Sequence, residues 1–195
     1  MKIQLPRLNA RSFSESLDRL EKVLMLPTQK TGALNVVFVY EDSETREWAR
    51  GAHERVNEIA GKHPVRATWW KLSNFFEPGV LAAAVSTAMR ADLIVVAVRT
   101  EEGLPLPIYA WVNNWLPHRR QAGGVLLALA GKSGARSSRS GRIGNFLRNV
   151  ARLGQLDFLL AQFELSGETV MRDPAFGPAV HDLFATPVLS RNGLR

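Results

Sequence analysis

The 195-residue sequence contains no cysteine, which excludes disulfides, thiolate metal ligands and a cysteine nucleophile. It also lacks long apolar runs. Stretches such as Gly123 to Ala130 have strand length and are far too short to span a bilayer. Met1 to Asn9 carries charge but no apolar core before a small-residue cleavage site, so no secretory signal is expected and a bacterial-type cytoplasmic location is. No Gly-x-Ser-x-Gly elbow is present, and no His-Glu-x-x-His motif. The four histidines, His53, His63, His118 and His181, fall on different segments without ligand spacing, so no metal site is expected. No acidic residue occurs between His118 and Arg152, where Arg119, Arg120, Lys132, Arg136, Arg139, Arg142, Arg148 and Arg152 lie. Those eight cations exceed the whole formal charge of +7, so a local basic surface is a firmer inference than a generally basic protein.

What is present is the composition of one globular domain, 46% apolar and 22% charged, on a chain long enough to bury a core. Residues 1–33 read as an N-terminal helical extension. Ser12 can cap and Glu15 follows three residues later. Phe13, Leu17, Leu20, Val23 and Leu24 then share one helical face, and Pro27 ends the segment. Residues 34–172 read as an α/β domain, and 173–195 as a tail with at most one short helix near Ala179 to Phe184.

Within the domain, strand and helix patterns alternate. Asn35 to Tyr40 is a near-continuous β-branched and aromatic run, the mark of a strand buried on both faces. Asp42 or Ser43 is placed to cap a helix burying Trp48, Ala52, Val56, Ile59 and Ala60. Val65 to Leu72 alternates and reads as an edge strand, and Pro78-Gly79 opens an alanine-rich helix to about Arg90. Leu93 to Val98 is the most hydrophobic strand and is expected at the centre. A helix carrying Ile108, Trp111, Val112 and Trp115 follows, then a strand over Gly124 to Ala130. Gly131 to Ser140 reads as a Gly/Ser/Arg-rich loop whose Ser140 caps the next helix, and Phe158 to Leu165 makes the fifth strand. Repeated strand-helix-strand units require parallel pairing with right-handed crossovers. The expectation is a three-layer α/β fold with a five-stranded parallel sheet in the flavodoxin-like order 2-1-3-4-5.

Ala91-Asp92-Leu93-Ile94-Val95-Val96 followed by Glu102-Gly103-Leu104-Pro105 resembles the third strand and loop of flavodoxins. That resemblance implies FMN, whose phosphate such proteins wrap in a Ser/Thr- and Gly-rich loop after the first strand. Here the same position reads Glu41-Asp42-Ser43-Glu44-Thr45-Arg46, with three carboxylates and no glycine. The acidic pair Glu41-Asp42 also resembles response-regulator receivers, yet Val98-Arg99-Thr100 offers no phosphoacceptor aspartate. The stretch from Val37 to Trp48 is similar to the start of Toll/interleukin-receptor-type domains. The helix that would carry their catalytic glutamate, Pro107 to Trp115, has no acid. Acidic residues at a helix start are also what the helix dipole alone favours. Gly131-Lys132-Ser133 is not a P-loop, because Leu126 stands where its first glycine belongs.

No catalytic residue emerges. The leading expectation is a non-catalytic regulatory or protein-interaction module that binds a protein partner or itself, with no cofactor. One of the adjacent Trp69 and Trp70 is expected to be exposed or covered by the N-terminal helix, as a contact surface. A second expectation is an FMN-type or other small-molecule site lined by Ser43, Thr45, Arg46, Thr100, Glu101 and Gly103 at the strand ends. A third is a nucleic acid or other polyanion bound by Lys132, Arg136, Arg139 and Arg142, without aromatic residues for base stacking.

Overall fold

In the computed structural model of the protein, residues 32–99, 105–120, 123–132 and 141–164 are described. Residues 1–31 of the N-terminal extension, the C-terminal tail, Thr100, Glu101, Gly103, Arg136, Arg139 and Ser140 lie outside them. Five strands, β1 (Leu34–Tyr40), β2 (Val65–Lys71), β3 (Leu93–Val98), β4 (Val125–Lys132) and β5 (Asp157–Glu164), form one sheet. Its order is β2-β1-β3-β4-β5 and every pairing is parallel. This is the flavodoxin-like arrangement expected from the alternation.

Four helices connect the strands: α1 (Ser43–Ala60), α2 (Val80–Ala88), α3 (Leu106–Trp115) and α4 (Arg142–Leu153). Handedness decides their faces. The β1-to-β2 step moves one way along the sheet and each later step moves the other way. Right-handed crossovers therefore place α1 on one face and α2, α3 and α4 on the other. The two cores follow that division. Val36, Phe38, Leu93, Val95 and Leu127 meet Trp48, Ala52 and Val56 of α1. Val37, Val39, Ile94, Val96 and Leu126 meet Ala84, Ile108, Trp111, Trp115, Ile143 and Leu147 on the opposite side. All six residues of β3 are buried, as its central place requires.

Several local readings are corrected. Leu72 does not extend β2 but begins a 3₁₀ turn, Leu72–Phe76, that buries Leu72 and Phe75. The alanine-rich helix is shorter than its pattern, starting after Gly79, whose φ of 81° suits a residue without Cβ. Strand β4 runs on to Lys132 because β5 pairs with it along its whole length. The N-cap of α4 is Gly141, not Ser140. Trp69 and Trp70 are both half-buried, so neither is openly exposed. Trp69 stacks on Phe38 with ring centres 4.2 Å apart. Trp70, on the other face, donates its indole N–H to Thr87 Oγ1 at 3.1 Å.

Candidate functional site at the strand ends

In an open parallel sheet, the crevice for ligands lies at the carboxyl ends of the strands where the order reverses. Here that is the end of β1 and β3. Glu41 N donates to Ala97 O at 3.2 Å, carrying the β1–β3 pairing one residue beyond the strand. Asp42 is the N-cap of α1 and Thr45 its third residue, and the two form a capping box. Thr45 N donates to Asp42 Oδ1 at 2.9 Å. Thr45 Oγ1 accepts from Asp42 N at 2.9 Å and from Glu41 N at 3.0 Å. Arg46 N donates to Asp42 O at 3.0 Å. Four backbone or cap donors around the turn are thus already satisfied by the turn itself.

The residue just past β3 closes the crevice from the other side. Arg99 N donates to Glu41 Oε2 at 2.9 Å. Its guanidinium forks, with Nε 2.8 Å from Asp42 Oδ2 and Nη2 2.7 Å from Glu44 Oε2. One cation therefore ties three carboxylates, two through its side chain and one through its backbone. Arg46 lies outside this clasp, over the Tyr40 ring with its guanidinium carbon 5.8 Å from the centroid.

The sequence-derived site residues separate accordingly. Ser43 and Arg46 are exposed beside the crevice, while Thr45 is fully buried. The Thr45 hydroxyl, expected to face a ligand, instead serves the helix cap. Lys132 ends β4 and Arg142 begins α4, so both stand at the crevice end of the sheet. Sequence reading missed Arg99. The available signal was an arginine directly after the central strand, opposite an acidic helix start.

FMN is the group this fold family implies, and the residues do not fit it. A phosphate needs unengaged N–H groups and positive potential at the turn after β1. The turn engages the N–H groups of Glu41, Asp42, Thr45 and Arg46 itself, and those left, of Ser43 and Glu44, are flanked by the carboxylates of Glu41, Asp42 and Glu44. Among the described residues there is also no group of three or more His, Asp or Glu placed to hold a metal ion. His53 packs edge-on against Phe38 and Trp69 at 5.4 and 5.6 Å, and His63 and His118 are exposed and apart.

The opposite end of the sheet is built for stability. Asp92, before β3, accepts from Asn35 N at 2.9 Å. Arg119 donates to the carbonyls of Ala88, Ala91 and Gly123 at 3.0, 3.0 and 2.9 Å. Burial pulls its pKa below the usual arginine value, and the charge of Asp92 opposes that shift. Arg119 thus belongs to the framework and is lost from the expected basic surface. Two surface depressions lie away from the crevice. One is lined by Met89, Arg90, Pro117, His118 and Arg120. The other includes Asn35, Arg66, Thr87 and Arg90.

Among the described residues no helix is long and apolar enough to cross a membrane. No family model matches the chain, and no curated protein matches it. Among solved structures it is similar to the two-electron reduced flavodoxin of Megasphaera elsdenii, solved in solution. The two are 12% identical, with a TM-score of 0.44 over 68% of this chain and 88% of that one.

Proposed function

We propose that this chain is a non-catalytic protein-interaction module, in which a flavodoxin-like frame presents its strand-end face to a protein partner. The observation that supports this reading best is the Arg99 clasp. Charged groups that would recognise a small anion at the crevice are bound to one another. At the same carboxyl-terminal end of the sheet, Phe76 after β2 and Leu106 at the start of α3 are 76% and 75% exposed. Aromatic and arginine side chains are enriched at protein interfaces, and Phe76 and Arg99 supply both at this end of the sheet.

The test is association of the full-length chain, alone and with candidate partners, measured by analytical ultracentrifugation. Phe76→Asp and Leu106→Asp, both on exposed positions, leave the fold intact and weaken a specific association by tenfold or more, an effect of about 1.4 kcal/mol. An association that survives both changes contradicts this surface.

A second reading has one placement in its favour. Lys132 and Arg142, which flank Arg136 and Arg139 in the sequence, stand at the crevice end of the sheet. Polyanion binding there predicts heparin retention that falls steeply with salt. Retention insensitive to salt rules it out.

A further inference from the structure

The two faces of the sheet are unequally covered by the described helices. Three helices and the Leu72–Phe76 turn lie on one face, and α1 alone lies on the other. Five strands span roughly 19 Å between the outer pair, at about 4.8 Å per spacing. One helix is about 10 Å across, so a face of this width needs about two. Helix α1 lies chiefly over β1 and β3, touches β2 and β4 less, and has no comparable contact with β5. It reaches β5 through Trp48, which stacks on Phe163 near the strand's end with ring centres 4.5 Å apart.

That leaves the β4–β5 half of this face. Its residues are Val125, Leu127 and Leu129 on β4 with Leu159, Ala161 and Phe163 on β5. None of these six is more than 8% exposed. Solvent is thus excluded from a strip that, among the described residues, no second helix covers.

We infer that residues 12–24 are the second helix of this face, docked along β4 and β5 beside α1. Phe13, Leu17, Leu20, Val23 and Leu24 recur at helical spacing, and Ser12 with Glu15 supplies a start signal. The 13 residues make a helix of about 20 Å, matched to a strand of eight residues that runs about 26 Å. The ten residues from Leu24 to Leu34 reach at most about 33 Å. Three strand spacings, about 14 Å, separate β5 from β1 where the chain enters the sheet. The C-terminal alternative is poorer: the six residues 179–184 make about 9 Å of helix, too short to cover the strip.

The absence of cysteine makes the test direct, because a single introduced thiol can be labelled in the full chain. A nitroxide at Lys22→Cys, on the polar side of the segment, broadens the methyl signals of Leu127, Leu129 and Leu159. Signals of Ile143 and Leu147 on the opposite face are spared. In a mixture of nitroxide-bearing chains with isotope-labelled, nitroxide-free chains, the broadening disappears. As a second measurement, Leu17→Asp raises the emission of a hydrophobic-surface dye several-fold in the full chain. Broadening that persists in the mixture assigns the strip to a second copy and overturns the inference. So does broadening from a nitroxide at His181→Cys but not at Lys22→Cys, broadening of Ile143 and Leu147 instead, or no broadening at all.

Discussion

Nε of Arg99, the residue after β3, lies 2.8 Å from Oδ2 of Asp42, the N-cap of α1. The pair joins the end of the central strand to the start of the helix that crosses to β2. It stands where the sheet order reverses, at the crevice in which an open parallel sheet places its ligands.

Removing the arginine has a small effect on stability. The Arg99 side chain is 52% exposed and that of Asp42 34%, so solvent screens the pair. Arg99→Ala is expected to cost less than about 1 kcal/mol in urea denaturation, and the difference shrinks as salt rises. A cost several times larger would mean that the clasp holds β3 and α1 together.

Thr45 is the more demanding position. Its hydroxyl accepts from Glu41 N and Asp42 N in a buried setting. Thr45→Val keeps the shape and leaves both N–H groups without that acceptor, a cost of roughly 1–3 kcal/mol. Asp42→Ala removes the cap for about 1 kcal/mol. Because each residue serves the other, the double variant loses less than the sum of the two. Additive losses would show that they act independently.

At the far end of the sheet, Gly124 has φ 109°, and a Cβ there would lie 2.7 Å from Asp92 O and 3.2 Å from Arg119 Nη2. Gly61 also has positive φ but meets nothing within 4 Å. Gly61→Ala should cost roughly 1–3 kcal/mol, the backbone strain alone at φ 56° and ψ −106°. Gly124→Ala adds a backbone collision to strain of roughly 1–3 kcal/mol, and its thermal midpoint falls further. Equal effects at the two glycines would remove the packing role assigned to the Asp92–Arg119 junction.

The frame was legible because its signals are long and local. The unbroken apolar run of β3 and the repeated strand-helix alternation specify a parallel sheet, and crossover handedness restricts its order. Lengths of elements were less legible. Leu72 left β2 because burying it beside Phe75 in a 3₁₀ turn serves the core better than another strand residue at an edge. Trp69 and Trp70 face opposite sides as their adjacency requires, but their burial depends on Phe38 and Thr87, far away in sequence. The site was legible only in outline. Its acidic helix start could be read, yet the partner that neutralises it, Arg99, comes from a strand 55 residues after Glu44. Arg119 similarly looked like one more surface cation, although its three carbonyl partners come from the α2–β3 turn and the loop before β4.

The account turns on whether the strand-end crevice holds a ligand or its own charges. Titrating the full-length chain with FMN, read by flavin fluorescence and by thermal midpoint, tests this directly. The account predicts unquenched flavin and an unchanged midpoint, for the wild type and for Arg99→Ala alike. Stoichiometric quenching with a rise in midpoint would contradict it.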